Sequence, residues 1–103
     1  MSELFDKRAL FTRLLPLLIN KMIEDGYTPL HGKDGLKHML ASLHYEGLAI
    51  DIDLFKNKVY LTSTEDHKPF GEFWELLDPS CRWGGHFTPP DGNHYSVTYG
   101  GRS

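Results

Sequence analysis

The sequence predicts a small α+β domain in which an antiparallel sheet packs against helices. Three observations carry this prediction. Apolar residues recur at helical spacing over residues 3–25 and again toward Leu77. Residues 48–55 alternate in the manner of a half-buried strand. A Lys56-Asn57-Lys58 turn then joins that run to Val59, so the two strands form a hairpin and pair antiparallel.

The elements follow in order. Over residues 3–25, Phe11, Leu14, Leu15, Leu18, Met22 and Ile23 share one apolar helix face. Pro16 removes a backbone donor and should kink or restart this helix. Gly26 is its expected stop. Tyr27 to Leu30 reads as a short extended segment, because Pro29 disfavours helix just before it. Residues 33–41 read as a short helix with Leu36, Met39 and Leu40 inward. In the following strand, Leu48, Ile50, Ile52 and Leu54 lie on one face, and Ala49, Asp51, Asp53 and Phe55 on the other. A second strand runs over residues 59–62. Ser63 or Thr64 can cap a helix to about Leu77, with Phe70, Phe73, Trp74 and Leu77 as its core stripe. Residues 78–93 read as a long Gly/Pro-rich loop, and loops of that length in a small domain are usually functional. His94 to Thr98 reads as a last strand, with His94, Ser96 and Thr98 on one face.

The 103 residues suit a single domain, 1–103. A formal net charge of −3 leaves no nucleic-acid footprint. The lone cysteine, Cys81, cannot form an internal disulfide, so the fold does not depend on an oxidising compartment. Leu14 to Ile23 is too short and too polar to span a bilayer. Charged residues interrupt the N-terminal apolar region, so no secretory signal is evident.

Metal-competent side chains concentrate in residues 42–51 and 91–94. Asp51 and Asp53 occupy one strand face, where propensity disfavours them and their charges repel. A bound cation would offset that repulsion. His44 lies seven residues before Asp51, across the turn at Gly47, and His94 on another strand can complete a tripod. Two imidazoles and a carboxylate are the ligand set of an open catalytic zinc site. Asp91, three residues before His94, can work on the metal's water. Each residue also has an ordinary reading. Histidines are common on surfaces, strand aspartates can simply be solvated, and Asp91-Gly92 is a turn signal.

Ser42-Leu43-His44-Tyr45-Glu46-Gly47-Leu48-Ala49-Ile50-Asp51 fits the pattern S-x-H-x-x-G-x-A-x-D. With Arg82-Trp83-Gly84-Gly85 and Asp91-x-x-His94 downstream, the chain resembles the zinc peptidases of the VanY-type D-Ala-D-Ala carboxypeptidase and phage L-alanyl-D-glutamate endopeptidase family. These group with the lysostaphin and hedgehog-like metallopeptidases. The similarity covers residues 42–96. It implies a sheet carrying Zn2+ on His44, Asp51 and His94, with Asp91 as the catalytic acidic residue. It also implies a phage-type endolysin that hydrolyses a peptidoglycan stem-peptide amide, between L-Ala and D-Glu. Such an enzyme would be a monomer without membrane insertion, made in the host cytoplasm and released to the wall by other means. A D,D-carboxypeptidase or dipeptidase and a non-catalytic zinc- or peptidoglycan-binding protein are the alternatives.

The remaining residues are less constrained. Asp53 can accept from a ligand histidine or be solvated. Ser42 can shape the turn, Trp83 can line the cleft or the core, and His86 can meet substrate or solvent. Relatives carry an arginine upstream of the first metal motif that stabilises the oxyanion, whereas this chain has none between Arg13 and Arg82. Lys33, Lys37 or His38 is the expected substitute.

Overall fold

The computed structural model describes residues 2–32 and 47–103. In chain order these form helix α1 (Glu3–Glu24), strands β1 (Thr28–His31), β2 (Ala49–Lys56) and β3 (Val59–Leu61), helix α2 (Thr64–Leu77), strand β4 (Cys81–Trp83), a 3-10 turn (Gly84–His86) and strand β5 (His94–Val97). The α+β class expected from the sequence is the class observed. The short helix expected over 33–41 lies outside the described residues.

Helix α1 begins because the Ser2 side chain accepts from Phe5 N at 3.1 Å. Such a cap contributes about 1 kcal/mol. It ends because Gly26 takes φ +93, a conformation costly for residues with a Cβ. That turn lets Tyr27 N reach Met22 O and Gly26 N reach Ile23 O, both at 3.0 Å, a Schellman stop. Two expectations need correction. The helix does not restart at Pro16 but continues through it. The lost bond and ring clash, about 3 kcal/mol, are outweighed by the face holding Phe11, Leu14, Leu18 and Met22 in the core. Ile23 is not on that face: it is 55% exposed, one residue and about 100° around the helix from buried Met22.

Strand β2 organises the antiparallel sheet. β1 pairs along one of its edges. β3 and β5 share the opposite edge, β3 beside Leu54–Lys56 and β5 beside Ala49–Asp51. β4 lies outside β5. Asn57 and Lys58 both take positive φ, which gives the two-residue hairpin turn whose twist matches the strands. Of the expected apolar face, Leu48, Ile52 and Leu54 are buried with Tyr95, Val97, Cys81 and Trp83 in one core with the helices, whereas Ile50 is only half-buried and Ala49 from the other face is buried as well.

Helix α2 starts with a capping box in which Ser63 and Asp66 satisfy each other's backbone donors. Phe70 and Trp74 are buried and Phe73 and Leu77 partly so, as the stripe predicts. Gly71 lies against the indole of Trp83; a Cβ there would sit 2.0 Å from a ring carbon. Only glycine permits that approach.

The long loop expected over 78–93 is corrected by strand β4 and the 3-10 turn within it. Cys81-Arg82-Trp83 is buried, exposed, buried. Three residues carry too little periodicity to read as a strand, and the pairing with β5 makes them one.

Candidate metal centre

In the β2–β5 register Asp51 faces His94. Ile52 N donates to Asn93 O at 2.8 Å and Val97 N to Leu48 O at 3.0 Å. These bonds flank the register so that Asp51 and His94 form a non-hydrogen-bonded pair, the arrangement that brings facing side chains closest. Period-two alternation turns both away from the Leu48, Ile52 and Tyr95 face. Asp51 is 2% exposed and His94 8%. His94 Nδ1 stands 3.5 Å from Asp51 Oδ1.

The turn before β5 delivers the second carboxylate. His94 N donates to Asp91 O at 3.2 Å, and Asp91 N donates to Gly84 O at 2.8 Å. A Cβ on Gly84 would lie 2.1 Å from Asp91 O and 2.8 Å from His94 Cβ, so the turn closes only on glycine. Trp83 Nε1 donates to Gly92 O at 2.7 Å and ties the same turn to the core. Ligand atoms of Asp51, Asp91 and His94 consequently all lie within 4.8 Å of one another. Asp91 is the exposed member.

This donor set fits zinc. Carboxylate oxygen and imidazole nitrogen are ordinary zinc ligands, and bonds near 2.0–2.2 Å at tetrahedral angles put neighbouring ligand atoms about 3.4 Å apart. The 3.5 Å between His94 Nδ1 and Asp51 Oδ1 matches that spacing. Burial of an aspartate calls for a positive partner, which a cation supplies.

Of the four residues expected at the site, the fold brings together Asp51, Asp91 and His94. His44 lies outside the described residues, as do Ser42, Lys33, Lys37 and His38. Asp53 Oδ1 accepts from Tyr60 Oη at 3.2 Å. Trp83 belongs to the core, 2% exposed. His86 is exposed and sits 2.9 Å from Glu75 Oε1, while Glu75 Oε2 accepts from Trp83 N at 3.0 Å.

Sequence reasoning passed over His67. It is buried on α2 with Nδ1 2.8 Å from Tyr95 Oη. Burial pushes its pKa down, against the pull of Asp66 and Asp53. Burial also pushes the Tyr95 phenol up. Its signal was its spacing from Phe70 and Trp74, which puts it on the stripe they define.

A family model described as D-alanyl-D-alanine carboxypeptidase matches residues 37–97. No curated protein and no solved structure gives a significant match. The matched stretch covers more than half the chain and includes Asp51, Asp91 and His94. The family's members are zinc-dependent metallopeptidases of peptidoglycan, and the cluster of Asp51, Asp91 and His94 is a donor set suited to that metal. The chain belongs to the D-alanyl-D-alanine carboxypeptidase family of zinc peptidases.

Proposed function

We propose that this chain is a phage-type endolysin that hydrolyses a stem-peptide amide of peptidoglycan, the bond between L-Ala and D-Glu. The observation that carries the reading is the convergence of Asp51, Asp91 and His94 on one side of the sheet. In this reading His44, Asp51 and His94 hold zinc and Asp91 works as acid and base. Bound zinc supplies Lewis acidity and a water acidic enough to yield hydroxide near neutral pH.

The chain's own groups do the rest. Paired β2 and β5 fix Asp51 and His94 on rigid backbone, so the ligands need little reorganisation. Asp91 stands on a turn closed onto Gly84, exposed where substrate arrives. Its carboxylate takes a proton from the attacking water and returns one to the leaving amine. Proton transfer of this kind contributes about 10² to 10⁴ in rate. A cationic side chain among Lys33, Lys37 and His38 fills the oxyanion role of the missing arginine.

A second reading, a D,D-carboxypeptidase, is favoured by the description of the matching family. Mass analysis of purified peptidoglycan after digestion separates them. An endopeptidase leaves glycan-linked L-Ala and frees peptides beginning with D-Glu. A carboxypeptidase releases D-Ala alone. Release of neither product contradicts both readings.

A further inference from the structure

β3 and β5 meet the same edge of β2 one after the other, and a cleft of about 250 Å3 opens where they part. Tyr60, Thr62, Thr64, His67, Asp91 and Asn93 line it. Among the described residues no lysine or arginine lines it. The adjoining α2 N-terminus offers no compensation, because the Ser63–Asp66 box occupies it and Glu65 and Asp66 add negative charge. A free carboxylate is therefore poorly matched. Hydroxyl, amide and imidazole groups suit neutral peptide backbone. The volume falls below the roughly 300–1,000 Å3 of small-molecule pockets and fits a short stretch of chain.

His67 has a defined polarity here. Tyr95 Oη meets His67 Nδ1 at 2.8 Å. Among the described residues the buried hydroxyl has no second partner. Were it to accept from Nδ1–H, its own hydrogen would be stranded in the core without a partner, a costly state for a buried donor. Tyr95 therefore donates to Nδ1, and a neutral imidazole then carries its proton on Nε2.

We propose that this cleft is a subsite for an uncharged amide segment of the substrate peptide, with the His67 Nε2–H donating to a backbone carbonyl and Tyr95 positioning the ring. The proposal rests on the peptidase reading, and it makes that enzyme one that prefers an internal amide to a free C-terminus. Asp91 then faces a bond whose neighbouring residue is already held.

The test has one arm that needs no turnover. Imidazole nitrogen spectra are recorded on the zinc-loaded full-length Asp91→Asn chain, with an amide-capped stem tetrapeptide or free-acid D-Ala-D-Ala as probe. His67 should show the Nε2–H tautomer, shift with the capped peptide and not with the free acid. Tyr95→Phe should mix the tautomers. In the kinetic arm, His67→Phe should raise KM for peptidoglycan about three- to tenfold, the worth of one neutral hydrogen bond. His67→Gln should recover much of it, and exposed Thr62→Val should change KM in the same direction. An Nδ1–H tautomer, His67 resonances unmoved by the capped peptide, or an equal response to the free acid would overturn the proposal. Failure of wild type to hydrolyse peptidoglycan would instead overturn the peptidase reading, with the spectra still deciding whether the cleft binds peptide.

Discussion

Asp51 and His94 face each other across β2 and β5 as a non-hydrogen-bonded pair, Oδ1 and Nδ1 3.5 Å apart and both side chains buried. Two groups 43 positions apart in sequence thereby become neighbours through register alone. A slip of one residue would turn His94 to the opposite face and place Asn93 or Tyr95 opposite Asp51.

Zinc affinity should depend on that pair. Asp51→Asn and His94→Ala should each weaken zinc binding more than about 100-fold and abolish the rise in Tm that zinc gives wild type, since metal binding is coupled to folding. Calorimetric titration and thermal melts with and without zinc read both effects. Full affinity in either variant removes that residue from the ligand set.

Gly71 inverts a familiar rule. Glycine to alanine inside a helix ordinarily stabilises by roughly 0.5–1 kcal/mol. At Gly71 the new Cβ would meet the Trp83 ring at 2.0 Å, so the helix and strand β4 must part. Gly71→Ala should therefore destabilise by about 1–3 kcal/mol, the usual cost of overpacking. Urea denaturation measures it, and a gain in stability would show that α2 does not lie against Trp83.

Cys81 should be inert in the folded chain. It is fully buried, and burial together with Asp78 raises the thiol pKa to about 12. Thiolate is the reacting form, so alkylation by iodoacetamide at pH 8 should follow unfolding rather than compete with it. Rapid native-state labelling would contradict the packing of β4.

Much of the fold was legible because its cues are local. Ser63 announces a cap, Gly26 a stop, and Leu48 to Leu54 a two-faced strand. Strand β4 was not, because Cys81-Arg82-Trp83 becomes a strand only beside β5. The candidate site was legible at Asp51, Asp91 and His94 through motif spacing. His67 was missed because its partner Tyr95 lies 28 residues away, and nothing in a helical stripe separates a buried donor from ordinary core. The role of Gly84 was equally hidden, since the turn it admits closes only in three dimensions.

His67 should make the fold acid-sensitive. Burial holds its native pKa below the ordinary 6.5, so below pH 6.5 the unfolded chain binds the proton more readily. Stability is then full above pH 6.5 and falls as pH drops from there toward the native pKa. His67→Gln should remove this component. The comparison is urea stability of metal-free wild type and variant between pH 7.5 and 5, and identical slopes would show that His67 is not buried neutral.

In the proposed function, zinc-dependent hydrolysis runs through Asp91 beside Asp51 and His94. The most direct measurement is amine release from purified peptidoglycan by chelated and zinc-reconstituted protein, for wild type and Asp91→Ala, with zinc content determined on the same samples. Chelated wild type should be inactive and recover with one zinc per chain. Asp91→Ala should bind that zinc and lose activity by about 10² to 10⁴. Amine release by the chelated protein at the zinc-loaded rate, or by zinc-loaded Asp91→Ala at the wild-type rate, would show that hydrolysis does not run through zinc and Asp91.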